Sequence, residues 1–323
     1  MSLRFAIDWP RIARLGVPLA AVFVVSLAYA IVLPVLPFLL ARELGESARA
    51  AQAWHTGLLT GVYMLALFVA APAWGRVSDR IGRRSVVLLG LGGLSGTLLL
   101  FAFGNGLALA YAARTLAGVF AGAILPAVYA HVGDTAVGAA RAQAFAQLSV
   151  AAAIGFLLGP GVSGWLASIT TSFADPLALP FYAGAALSAT VALVAHRSFV
   201  RTDSRSRAPA GAGPAPSLYR LLVLSALVML GIGSFEVALV LTGQQVLRLG
   251  PREIGFLFAE CSLVMVLVQL FVPGPLIQRG GAQRLIAPAL VAMAVGLVLL
   301  PFGQDYRVLL LATALIAAAS GLL

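Results

Sequence analysis

Three ionisable side chains, Arg114, Glu236 and Glu260, stand inside long apolar stretches of the sequence. Groups of this kind are costly in a membrane and are functional candidates by default. At the helical rise per residue, Arg114 comes roughly 10 Å below one membrane edge, Glu260 about 12 Å from Arg252 and Glu236 about 18 Å from Arg248, so the three lie at comparable depth. A carboxyl in a low-dielectric setting holds its proton, and a nearby Arg favours its release. A Glu moved between these two settings loads and unloads a proton, which is the minimal chemistry of proton-coupled exchange. Glu260 can equally serve as a hydrogen bond across a helix interface, and Arg114 as a structural partner for a backbone carbonyl or a Glu. Tyr29, Tyr63, Tyr129, Phe235, Gln147 and Gln269 are candidates to line a cavity for an amphipathic or apolar solute, although aromatic residues in membrane helices also act as packing or interface anchors.

The elements that position these groups are membrane spans. With 61% hydrophobic and 10% charged residues, the chain cannot cover a soluble globule with polar surface. A span needs roughly 20 apolar residues, and this rule divides the chain into segments near 15–41, 54–77, 84–103, 107–130, 142–168, 180–197, 218–246, 254–277, 284–302 and 307–323. The first is too long for a cleavable signal peptide and contains Pro34 and Pro37, which mark a bend or a helix termination. Residues 198–217 are the long polar stretch and read as a cytoplasmic linker, so residues 1–197 form one six-helix half and 218–323 a second half of about four helices.

Composition also excludes several chemistries. One Cys and three scattered His give neither a disulfide framework nor ligand spacing for a metal. No Gly-rich phosphate loop and no nucleophile–base pair is evident, so neither ATP hydrolysis nor another enzyme activity is expected, and no cofactor is implied. The net charge of +10 is spread over helix ends, which argues against nucleic acid as a partner. With the N-terminus placed in the cytoplasm, fifteen Arg residues fall inside and five outside, leaving Arg114 in the membrane. That bias sets the expected orientation, with lipid as the solvent and a bacterial inner membrane as the location.

The stretch from Gly75 to Arg84, Gly-Arg-Val-Ser-Asp-Arg-Ile-Gly-Arg-Arg, joins the second and third segments and is expected to be a tight cytoplasmic loop between Trp74 and Ser85. Gly75 and Asp79 are four apart and share a helix face. An Asp at a helix C-terminus opposes the macrodipole, so it calls for a basic partner such as Arg80, Arg83 or Arg141. The plainer reading is that these Arg residues only set topology. Gly75 to Gly82 aligns without gaps on Gly274 to Gly281, with Gln278 in place of Asp79, and each copy joins the second and third spans of its half. Same-sense repeats of this sort are a transporter architecture with the binding site at the repeat interface. In the fifth segment, Gly155, Gly159, Pro160 and Gly164 supply a small-residue face and a break in the backbone ladder, suited to close packing and bending.

These residues carry a resemblance to the major facilitator superfamily, and especially to its drug/proton antiporter branch. Gly75, Asp79, Arg80, Gly82, Arg83 and Arg84 match its cytoplasmic loop signature. Arg114 with Gly118 is similar to the fourth-helix signature, and Asp134 with Arg141 to the loop that follows. Gly155, Gly159, Pro160 and Gly164 resemble the antiporter fifth-helix signature, with Ser163 replacing a Gly. The resemblance implies an all-α, two-half helical bundle of twelve spans, of which about ten are present here. It implies that the loop cluster latches the two halves in the outward-facing state, with Asp79 against the start of an eleventh helix, and that the fifth helix hinges at the interface between halves. Glu236 becomes the first choice of proton carrier, because central helices line the cavity in this family. The expected function is proton-driven export of small hydrophobic or amphipathic compounds by alternating access. The rivals are nutrient uptake by proton symport and a transporter-like sensor or scaffold.

Overall fold

The computed structural model describes residues 9–45, 48–169, 175–199, 216–271, 282–300 and 305–322. Among these residues the chain is helical and contains no strand: α1 Trp9–Ala30, α2 Leu36–Leu44, α3 Arg49–Ile81, α4 Arg83–Phe103, α5 Leu107–Thr135, α6 Gly138–Ala167, α7 Leu179–Ser198, α8 Pro216–Leu241, α9 Pro251–Phe271, α10 Ala282–Leu299 and α11 Tyr306–Leu322. Helices α3 to α8 are the six that are long and apolar enough to cross a membrane by length and composition. Ten spans is therefore an approximate count, reached by adding α1, α9, α10 and α11. The linker core and the second copy of the loop, Gly274 to Gly281, lie outside the described residues.

In a bilayer every backbone polar group must be satisfied within the protein, and helices do this locally. Large apolar side chains then face outward as readily as inward. Leu65, Phe68 and Val69 on α3 and Leu227, Met229 and Leu230 on α8 are exposed. The interior is lined instead by small residues and by α1, whose Ala21, Val22 and Ala30 are fully buried. Helix α1 packs against α6 and α7, α5 lies between α3 and α4, and α4 also meets α7. In the later part of the chain, α11 packs against α9 and α10. The two groups meet along α6 and α9 and, less extensively, along α3 and α8.

Two expectations about the elements need correction. The first apolar segment is two helices rather than one: Pro34 has no amide hydrogen, and the ladder slips so that the Val35 amide donates to Val32. The stretch from Gly75 to Arg84 is also mostly helix. Helix α3 continues to Ile81 and α4 starts at Arg83, so the turn is the single residue Gly82, held at φ 90°, a conformation only Gly adopts without strain. Helix α6 runs through Pro160 to Ala167.

Two carbonyls that proline effects release from their helices are satisfied by serines elsewhere. Ser163 on α6 donates to the Ile31 carbonyl at the α1 break. Ser262 on α9 donates to the Phe156 carbonyl at 3.3 Å, the group that Pro160 leaves without its usual amide donor. The Ser that departs from the antiporter signature thus has a structural task. Ser163→Ala leaves a buried acceptor unpaired, at a cost of about 1–3 kcal/mol. We expect the thermal midpoint of the purified protein to fall by roughly 2–6 °C, whereas Ser149→Ala, which removes only an exposed bond to Phe145 of its own helix, leaves it unchanged.

Candidate functional site

The site forms where α1, α3, α5 and α8 meet. Gly118 on α5 lies against the backbone of α3: a Cβ there would collide with the Tyr63 carbonyl and come within 2.9 Å of the Ala66 side chain. The absence of that atom lets α5 sit close to α3, one turn from Arg114. Arg114 is buried, with 1% of its surface exposed, and its Nε donates to the Leu59 carbonyl at 3.2 Å. Its guanidinium lies over the rings of Tyr63 and Tyr29, at 4.8 and 5.4 Å from their centroids. The two rings are themselves 5.0 Å apart. One guanidinium nitrogen, Nη2, has no hydrogen-bond partner. A buried cation held by one carbonyl and two aromatic faces is under-satisfied, which favours anionic character close by.

Glu236 is the carboxyl that completes the group. It is 8% exposed, and Tyr29 donates its hydroxyl hydrogen to Glu236 Oε2. This bond runs from α1 to α8 and joins the earlier and later parts of the chain. Phe235 is buried beside Glu236 in sequence, and Phe156 of α6 meets the Tyr29 ring edge-on at 5.7 Å. The arrangement joins a phenol hydroxyl to a carboxyl, with a cation 5.4 Å from the phenol ring centroid.

The other sequence candidates divide. Tyr29, Tyr63, Arg114 and Glu236 belong to this neighbourhood, and Phe235 is buried on α8. Glu260 makes no hydrogen bond to it among the described residues. Its Oε2 instead accepts from Thr313 of α11 at 3.3 Å and from the Cys261 thiol at 3.6 Å, the interfacial bond that was its alternative reading. Tyr129 is near the far end of α5, half exposed and stacked on Phe145 at 5.9 Å, away from Arg114. Gln147 is partly buried on α6 without a hydrogen bond among the described residues. Gln269 lies on α9 with its side chain outside the described residues.

The loop cluster is built around Arg83. It pairs with Asp79 at 2.6 Å, with Asp134 at 3.4 Å, and with the Ser78 hydroxyl at 3.1 Å. It therefore fastens the ends of α3, α4 and α5 to one another. Asp79 stays largely exposed, so its pairing is worth at most about 1 kcal/mol. Arg84 does not join the cluster: it donates to the His196 carbonyl at the end of α7. Arg141 donates to the carbonyls of Gly133 and Ala136, at 2.8 and 2.9 Å, and so closes its own loop.

At the opposite end of the bundle, α6 and α9 touch through backbone. Gly164 and Gly255 are so placed that a Cβ on either would lie 3.1 Å from the other's Cα. On another face of α6, Gly155 and Gly159 pack on Phe23, Ser26 and Ala30 of α1. Sequence reading missed two further ties at this end. Gln244 donates to the Pro37 carbonyl at 3.1 Å and Gln245 to the Arg49 carbonyl at 3.3 Å, both from a π-helical turn, Thr242–Val246, that closes α8. The signal was a pair of Gln residues ending an apolar span, where amides have no lipid-facing use.

A family model, that of the Major Facilitator Superfamily, matches residues 19–222. The chain belongs to the Major Facilitator Superfamily. Among relatives of this superfamily, a class C tetracycline resistance protein of Escherichia coli is 32% identical over 286 residues, covering 84% of this chain and 69% of the relative. Multidrug resistance protein 2 of Bacillus subtilis (strain 168) is 26% identical over 328 residues, covering 94% and 77%. The fold is similar to that of the human organic anion transporter MFSD10, with a TM-score of 0.71, 22% identity, and coverage of 97% of this chain and 84% of that one. A bacterial homologue of the human lysosomal transporter Spinster, solved in an inward-facing, unoccupied conformation, gives a TM-score of 0.71 at 16% identity, covering 96% and 74%. The chain is thus an integral membrane protein and a secondary transporter of the superfamily, with drug-resistance proteins among its relatives.

Proposed function

We propose that the protein is a proton-coupled exporter of small hydrophobic or amphipathic compounds, working by alternating access between a six-helix half ending near residue 197 and a second half beginning near residue 218. The observation that carries the reading is the Tyr29–Glu236 bond. It joins α1 to α8 at a protonatable carboxyl near a buried cation with an N–H unpaired among the described residues, which supports a coupling site where the proposed halves meet. With its proton, Glu236 is neutral and tolerates burial. Without it, the carboxylate is drawn to Arg114, and the balance of contacts between the halves changes. Coupling in this scheme is the difference in Glu236 environment between two arrangements of the halves.

The described hydrogen bonds between the halves involve Tyr29, Pro37, Arg49 and Phe156, which lie at mid-depth or toward the end away from Asp79. The Arg bias supports placing the Asp79 end in the cytoplasm of a bacterium, with the membrane in question the inner one. The arrangement is then closed on the outside. Asp79, Arg83 and Asp134 stand ready on the inner side as the latch for the opposite state, with Arg80 beside them and Gly75, Gly82 and Arg84 shaping the strand of chain that carries them.

The test is made with the full chain in inside-out vesicles and an imposed pH gradient, using tetracycline and a quinolone, the compounds for which relatives are named. Accumulation that requires an acidic lumen supports proton-coupled export. Accumulation that requires an alkaline lumen supports symport and uptake instead. Movement indifferent to the gradient overturns the coupled reading.

A further inference from the structure

At the end of the bundle away from Asp79, an open cavity of about 820 Å³ lies between the two parts of the chain. Its volume is in the range of drug-sized ligand pockets. The polar lining is cationic and amide: Arg42, Arg49 and Gln52 from one part, Gln244, Gln245 and Arg248 from the other. Phe38 and Leu249 supply apolar wall. Arg42 is already committed to Asp175. Arg49 and Arg248 have no side-chain hydrogen bond or ion pair among the described residues. No acidic side chain is among the described residues that line the cavity with these two guanidinium groups, an arrangement that favours an anion there.

The backbone singles out the same place. Arg248 has a φ of 54°, the one non-glycine residue at positive φ among the described residues. Glycine adopts that conformation freely and arginine does so uncommonly. Arg248 lies two positions beyond the π-helical turn Thr242–Val246, a feature concentrated at functional sites. Within that turn, Gln244 Oε1 is buried without a partner, an acceptor left over for a ligand N–H or O–H.

We propose that this cavity is a binding site for an organic anion with an apolar body, its carboxylate, sulfonate or phosphate held between Arg49 and Arg248. The site is separate from the Glu236 group and is read by binding without a gradient, so its failure and a failure of coupled transport are distinguishable. The same chemistry would accept a free anionic solute or the headgroup of an anionic lipid.

The full chain in phosphatidylcholine nanodiscs is titrated with dansylglycine and with dansylamide, its uncharged counterpart. The anionic probe is expected to bind at least roughly tenfold more tightly, as one charge-assisted contact provides. Arg49→Gln with Arg248→Gln abolishes the difference while leaving dansylamide binding as it was. Arg49→Lys with Arg248→Lys retains it, which separates charge from fold. Raising the salt concentration weakens dansylglycine alone. Equal affinities for the two probes, or a preference that survives the double Gln variant, overturns the proposal. Replacing a third of the lipid with phosphatidylglycerol identifies the source: loss of dansylglycine binding beyond that seen with the Gln variant assigns the site to a lipid headgroup, and unchanged binding assigns it to a free anion.

Discussion

Glu236→Gln is expected to abolish gradient-driven accumulation while leaving gradient-free exchange of substrate nearly intact. The substitution keeps the shape of the side chain and an oxygen that can accept from Tyr29, so the tie between α1 and α8 survives. What it removes is the exchangeable proton. Loss of a positioned proton carrier costs on the order of a hundredfold or more in the coupled rate, whereas counterflow, which needs no net proton movement, should stay within roughly fivefold. The measurement is uptake into vesicles with and without an imposed pH gradient. If the variant still accumulates substrate at the native rate, Glu236 is not the carrier. Glu260→Gln is the matched comparison, because that carboxyl bonds to Thr313 and Cys261, away from Arg114, and coupling should persist in it.

The second large effect is steric. Gly164→Leu places a Cβ against the Pro251 carbonyl and 3.1 Å from the Cα atoms of Arg252 and Gly255. Backbone cannot yield as a flexible side chain can, so α6 and α9 must part. We expect the variant to fold, because the packing of α6 on α1 is untouched, but to lose transport to background. Closure is read by alkylation of a cysteine introduced at Ala259, which lies 3.6 Å from a Cβ built at Gly161, in a background where Cys261 is replaced. Reaction should be at least about tenfold faster in the Leu variant, the response of a contact that has opened to water. Gly96→Leu, facing open space, should change neither property. Unaltered alkylation and transport in Gly164→Leu would show that the two helices need not touch there.

How much of this was legible before the coordinates depended on the kind of interaction. Burial of Arg114 and Glu236 could be read directly, because a charge within an apolar run is visible in one dimension. Gly118, Gly155, Gly159 and Gly164 could also be read, as small residues at helical spacing mark close approach. The partner of Glu236 could not be. Tyr29 is separated from it by 207 residues, and nothing along the chain distinguishes a hydrogen-bonded Tyr from one that merely packs. The division of the loop cluster was hidden for a related reason. Arg83, Arg84 and Arg141 look equivalent as charges, yet one meets two carboxylates and the others meet carbonyls. The stretch from Gly75 to Arg84 reads as a loop because the apolar segments stop at Trp74 and resume near Ser85, but the end of hydrophobicity is not the end of a helix. Only Gly82 has a conformation that breaks the helix; the other residues continue α3 or start α4.

The Phe156 carbonyl has a consequence for how the bundle moves. Pro160 deprives it of an amide, and Ser262 of α9 supplies the missing hydrogen. Separation of α6 from α9 strips that carbonyl of its donor in a region with none to spare. A dry gap there is unfavourable, so the helices part only as a water molecule arrives to replace the serine. Opening and wetting are then expected to be a single event.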